Sequence, residues 1–149
     1  MKRPMGADED RPVVLVVDDD EDHLMMLEAS FDAAGYEVLT AASFADASKK
    51  LMESSVDALV ADLTLGDGSA LDLLPPLGDR RPRVAIVLSG FDRPEDFERA
   101  RAAGFDAHLV KPTPFDRLTS IIDEGLKKRA SGVQLARPRP GNGPKRAPY

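Results

Sequence analysis

Four short aliphatic runs each end on a side chain that can do chemistry, and no other feature constrains the fold of this chain as much. Val13–Val17 is followed by Asp18 and Asp19, Ala58–Ala61 by Asp62, Val84–Leu88 by Ser89, and Leu109-Val110 by Lys111. Uninterrupted aliphatic runs predict strands buried on both faces, the pattern of a parallel sheet. Open parallel sheets gather their chemistry at the carboxyl ends of the strands. One sheet edge is therefore expected to collect three carboxylates, a hydroxyl and an ammonium. Such a set suits a divalent cation together with a phosphoryl group.

Helical patterns fill the intervals. Asp22 can cap a first helix whose apolar face is Leu24, Leu27, Phe31 and Ala34, stopped by Gly35. Ser43 opens a second helix with Phe44, Ala47 and Leu51 inward. A third starts near Ser69, carries Leu71 and Leu74, and is ended or kinked by Pro75-Pro76. Pro94 suits the first turn of a fourth helix, closed by Ala103-Gly104. Thr113 and Asp116 read as a capping box, with Pro114 at the first helical position of a last helix along Leu118, Ile121, Ile122 and Leu126. Helices between strands demand parallel pairing with right-handed crossovers. Tyr36–Thr40 and Ala107–Val110 contain Glu37 and His108, which marks them as edge strands. The expected fold is α/β: a flavodoxin-like five-stranded parallel sheet, order 2-1-3-4-5, with helices on both faces.

Charge divides the chain in two. Of 149 residues, 26 are acidic and 20 basic, yet everything from Lys127 onward carries seven basic residues and no acidic one. An acidic globule with a basic tail is expected: a loose leader over 1–11, a folded domain over 12–129, and a disordered Pro/Gly-rich tail over 130–149. The absence of cysteine excludes disulfides and thiolate chemistry, and His23 and His108 are too few for a histidine-rich metal site. No apolar stretch approaches a membrane span and the N-terminus has no signal-peptide core, so a cytoplasmic location without a membrane partner is expected.

Val-Val-Asp-Asp-Asp-Glu-Asp (16–22), Ala-Asp-Leu-Thr-Leu-Gly-Asp-Gly (61–68), Val-Leu-Ser-Gly (87–90) and Val-Lys-Pro (110–112) together resemble the receiver domain of two-component response regulators, over roughly residues 12–128. Each motif alone is weak; the four in order, on the right strand ends, are specific. The resemblance implies Asp62 as phospho-acceptor, and Asp18 and Asp19 as an acidic pair that binds Mg²⁺ with Asp62 and the Thr64 carbonyl. It implies Lys111 as the cation facing the phosphoryl group, its bond to Pro112 being cis as is usual in such domains. Ser89 is implied as the switch hydroxyl, with the Gly90 amide beside it and Thr64 also near the phosphoryl group. Phosphoryl binding would draw Ser89 inward and shift the face made by the fourth helix, fifth strand and fifth helix.

The function so implied is a single-domain response regulator, phosphorylated by a histidine kinase or phosphotransfer protein and acting on a downstream protein effector. It is not an enzyme beyond its own phosphorylation and dephosphorylation. One alternative is a nucleic-acid-binding regulator acting through the basic tail. No helix-turn-helix pattern follows residue 129, and the acidic globule would repel a duplex. Another is a pseudo-receiver that works without phosphorylation. A haloacid dehalogenase-like phosphatase, with Asp18 as nucleophile and Asp20 as acid, lacks a usable acidic pair late in the chain, because Asp123-Glu124 falls mid-helix. The chain departs from the family pattern at the strand-five switch position, where His108 replaces Tyr or Phe. It also departs at Gly66, which replaces a proline and is expected to loosen the acceptor loop. Asp20 and Glu21 are expected to form a solvated acidic rim, and Phe91 to shield the phosphoryl group from water.

Overall fold

The computed structural model describes residues 11–90 and 93–130. The expected leader and basic tail lie almost wholly outside these residues, as does Phe91. The strands are β1 (Val13–Val17), β2 (Glu37–Ala41), β3 (Ala58–Asp62), β4 (Val84–Ser89) and β5 (Ala107–Val110). They form one parallel sheet in the order β2-β1-β3-β4-β5, as the polar interruptions of the two edge runs require. The α-helices are α1 (Glu21–Ala33), α2 (Phe44–Glu53), α3 (Pro94–Ala102) and α4 (Phe115–Ala130).

Alternation along each strand divides the interior into two layers. Leu15, Val17, Leu59, Ala61, Ala85 and Val87 face α2 and α3, packing with Ala47, Leu51, Ala100 and Phe105. Val14, Val16, Ala58, Val60, Val84 and Ile86 face α1 and α4, packing with Leu24, Leu27, Phe31, Leu118 and Ile122. Phe31 joins three elements on that second face. Its ring meets Tyr36 edge-on at 5.2 Å and Phe115 at 4.8 Å, contacts worth about 0.5–1.5 kcal/mol each beyond burial. The Tyr36 hydroxyl donates to Asp123 Oδ1 at 2.8 Å, fastening the start of β2 to α4. Burial first, then the Asp123 carboxylate, push the Tyr36 phenol well above its ordinary pKa.

Gly35 and Gly104, with φ of 98° and 100°, lie just beyond α1 and α3 in the left-handed region that favours glycine. Four local expectations give way. Asp20, not Asp22, caps α1: its carboxylate accepts the N–H groups of Asp22 and His23. Both residues satisfy the capping preference, and the strand end decides which is free to adopt extended backbone; Asp22 then becomes one of the capped donors. Ala34 is exposed at the helix end instead of joining the apolar face. The third helix is absent as an α-helix and is replaced by 3₁₀ segments at Ala70–Asp72 and Pro75–Arg80. Pro75 and Pro76 have no N–H to donate, so short turns bury Leu73, Leu74 and Leu77 in place of a continuous helix. The fourth and fifth helices expected from the sequence are thus α3 and α4. The Thr113 capping box does not form: the hydroxyl donates to the Val110 carbonyl at 3.0 Å, at the end of the edge strand β5, and the helix starts at Phe115.

Gly125 marks where α4 comes closest to the sheet, because a Cβ there would overlap Val84 Cγ2. Ala in a helix interior gains about 0.5–1 kcal/mol over Gly, whereas overpacking costs about 1–3 kcal/mol. Gly125→Ala is therefore expected to lower stability by about 1 kcal/mol or more, read from denaturant unfolding; a stabilised variant would show that α4 can lift from Val84 without loss.

Candidate functional site

Register builds the site. Val17 pairs with Ala61, so the residues that follow, Asp18 and Asp62, leave adjacent strands side by side. Asp62 pairs with Leu88 and Ser89 with Val110, which brings Ser89 and Lys111 to the same edge. Backbone bonds hold these ends in place: Asp18 N–H to the Ala41 carbonyl at 3.1 Å, Leu63 N–H to Leu88 at 2.7 Å, and Lys111 N–H to Ser89 at 2.8 Å. The Lys111–Pro112 peptide is cis, as the resemblance implies.

Asp18, Asp19 and Asp62 come together as expected, each offering an oxygen within 4.8 Å of the others. Asp18 is buried, Asp62 half-buried and Asp19 exposed, so the cluster opens to solvent on one side. Lys111 Nζ lies 2.8 Å from Asp62 Oδ1. Burial raises the Asp62 pKa above the usual carboxylate range; Lys111 opposes this, and the charges of Asp18 and Asp19 add to it. Three clustered carboxylates with one ammonium have the chemistry of a hard divalent-cation site that keeps water or phosphate oxygens as its remaining ligands. The donor set fits the Mg²⁺ expected from the sequence.

The loop after Asp62 is more ordered than Gly66 suggests. Thr64–Leu65 and Gly68–Ser69 pair as a small antiparallel hairpin. The Asp67 carboxylate then accepts the Phe44 N–H at 2.6 Å and the Ala45 N–H at 3.1 Å, which holds its pKa below the ordinary value. The acceptor loop is thus tied to the first turn of α2, where unpaired amide donors favour an anion. Gly66 passes beside Asp19, a Cβ there standing 3.6 Å from Asp19 Oδ2. Thr64 and Gly90 are both exposed at this end of the sheet.

Ser89 is buried, and its Oγ lies 2.8 Å from His108 Nε2. The His108 ring packs in turn against Phe97 of α3, centroids 4.2 Å apart. The two residues expected to form the switch therefore touch directly. Sequence reasoning missed His23, whose Nδ1 contacts the Asp18 carboxylate. The available signal was its place in the first turn of a helix that follows a strand-end acid. Side chains there lean back toward the helix N-terminus.

A family model described as the response regulator receiver domain matches residues 14–123. The transcriptional regulatory protein KdpE of Mycobacterium tuberculosis is 30% identical over 126 residues, 85% of this chain and 56% of that protein. The transcriptional regulatory protein PrrA of Mycobacterium bovis is 34% identical over 121 residues, 80% of this chain and 52% of that protein. The chain thus spans about half the length of these two relatives. Among solved structures, a response regulator protein from Burkholderia pseudomallei with a phosphorylated aspartic acid, a calcium ion and citrate superposes with a TM-score of 0.71. It is 26% identical, and the match covers 85% of this chain and 75% of that one.

A carboxyl whose pKa is raised by folding stabilises the fold at low pH, and that contribution is lost as pH rises through the folded-state value. Asp62 is such a group. With divalent cations removed, Asp62→Asn is expected to melt above the unsubstituted chain at neutral pH, with the gap closing on acidification. A lower melting temperature at neutral pH would show that the Lys111 ion pair outweighs burial.

Proposed function

The chain belongs to the response regulator receiver domain family, and from that premise we propose that Asp62 accepts a phosphoryl group from a histidine kinase or phosphotransfer protein and thereby switches contacts with a downstream protein effector. The observation that carries this reading is Asp62 itself: a half-buried carboxylate, 2.8 Å from the Lys111 ammonium and clustered with Asp18 and Asp19. An Asp62 oxygen attacks phosphorus, the P–O bond forms as the P–N bond to the donor imidazole breaks, and the imidazole leaves as the neutral ring once it is protonated. Lys111 stands where it can pair with an equatorial phosphoryl oxygen as negative charge spreads over that group. Asp18, Asp19, Asp62 and the Thr64 carbonyl would hold Mg²⁺, which supplies further charge neutralisation when bound. The Gly90 amide and the Thr64 region complete the rim around the phosphoryl group.

Ser89 and His108 form the proposed switch. The Ser89 hydroxyl, 2.8 Å from His108, would turn to a phosphoryl oxygen, and His108 would carry the change to Phe97 on α3. The output surface is then α3, β5 and α4, the bistable element that a local charge event biases. The KdpE and PrrA proteins are named transcriptional regulators, but this chain matches only part of each, so DNA contact does not follow from the match. No helix among the described residues is long and apolar enough to cross a membrane.

With Mg²⁺ and a small-molecule phosphodonor, mass spectrometry is expected to find one phosphoryl adduct on Asp62, absent in Asp62→Asn, with beryllofluoride binding as the non-covalent check. No adduct and no beryllofluoride binding would favour the phosphorylation-independent pseudo-receiver. Ser89→Ala is expected to keep the adduct but lose the amide chemical-shift changes along α3, β5 and α4. Shift changes of undiminished size in that variant would take the switch role from Ser89.

A further inference from the structure

Asp18 is almost wholly buried, at 2% exposure, so protein donors and not bulk water set the direction of its carboxylate. Two donors do so. The Asp20 N–H reaches Oδ1 at 2.9 Å, and His23 Nδ1 contacts Oδ2. An ionised carboxylate only accepts, so the hydrogen in the second contact belongs to Nδ1. The first donor is backbone, supplied by the turn that leads into α1. The second is a side chain that makes no other hydrogen bond among the described residues. Asp20 already caps the helix, accepting the Asp22 and His23 N–H groups at 3.0 and 3.3 Å. Leu24, Leu27 and Phe31 already supply the buried stripe of α1, while the His23 side chain remains 27% exposed on the rim of the site.

We infer that His23 is a positioning residue: it grips Asp18 Oδ2 so that the carboxylate is already aimed when a divalent cation arrives. This rests on the phosphoryl-acceptor reading above and adds to it a residue beyond the acidic cluster and Lys111. Outer partners that orient a ligating carboxylate or imidazole change metal affinity by about 10–100-fold when removed. Here the effect falls on the most buried of the three carboxylates, the one that solvent is least able to reorient.

Calorimetric titration with Mg²⁺ at fixed pH and salt tests this on the unsubstituted chain, His23→Ala and His23→Asn. His23→Ala is expected to bind Mg²⁺ about tenfold more weakly or worse. His23→Asn is expected to stay close to the unsubstituted affinity, because the Asn amide nitrogen stands where Nδ1 stands and can donate the same bond. Melting in chelator is expected to be similar for all three, which separates positioning from support of the fold. Unchanged or tighter Mg²⁺ binding by His23→Ala, with normal binding by the unsubstituted chain, would overturn the positioning role alone. Asn binding as weakly as Ala would overturn it too, since a donor at that place would then be irrelevant. An unsubstituted chain that binds neither Mg²⁺ nor beryllofluoride would overturn the acceptor reading and this inference together.

Discussion

The register of β1 against β3, with Val17 opposite Ala61, is the constraint from which the rest of the site follows. Parallel strands in register release their chains at the same edge, and here each chain leaves on an acid. Like charges at this spacing repel, so the fold must hold the carboxylates together by the strength of the aliphatic layers beneath them. Val14, Val16, Ala58, Val60, Ile86 and their neighbours on the opposite face are buried almost completely, and they supply that strength. Burial raises the Asp62 pKa above the ordinary carboxylate range, Lys111 opposes this only in part, and the charges of Asp18 and Asp19 add to the rise.

Elements buried on both faces were the most legible in the sequence. β1, β3 and β4 are aliphatic throughout because each must pack against helices above and below. Glu37 and His108 marked the edges for the converse reason. Asp18, Asp19, Asp62 and Lys111 were readable because strand ends are one-dimensional landmarks: a residue that follows a run must emerge at the edge. Ser89 was found in the same way and His108 only through the family resemblance, but their direct contact was not, since it depends on two side chains crossing between neighbouring strands.

Details decided by competition among equivalent groups were not readable. Asp20 and Asp22 both suit the cap of α1, and only the end of β1 selects between them. Thr113 prefers a strand carbonyl to a helix amide, a choice invisible without the edge strand beside it. The Asp67 tie to α2 links residues 23 positions apart, which no local pattern reports. His23 escaped for a related reason. Its composition signal is that of any helix surface, and its meaning appears only where the first turn of α1 leans over Asp18.

The contacts of Phe31 with Phe115, and of Tyr36 with Asp123, bind the first third of the chain to its last helix. This has a consequence for how the protein is made. Synthesis proceeds from the N-terminus, and contacts of long sequence separation close late. Until α4 leaves the ribosome, the part of that sheet face beneath Leu118 and Ile122 is uncovered, and α1, with Phe31, covers only the rest. The nascent chain must carry that apolar surface in water through most of its elongation, and the cell must keep it from finding another sheet edge before its own last helix arrives.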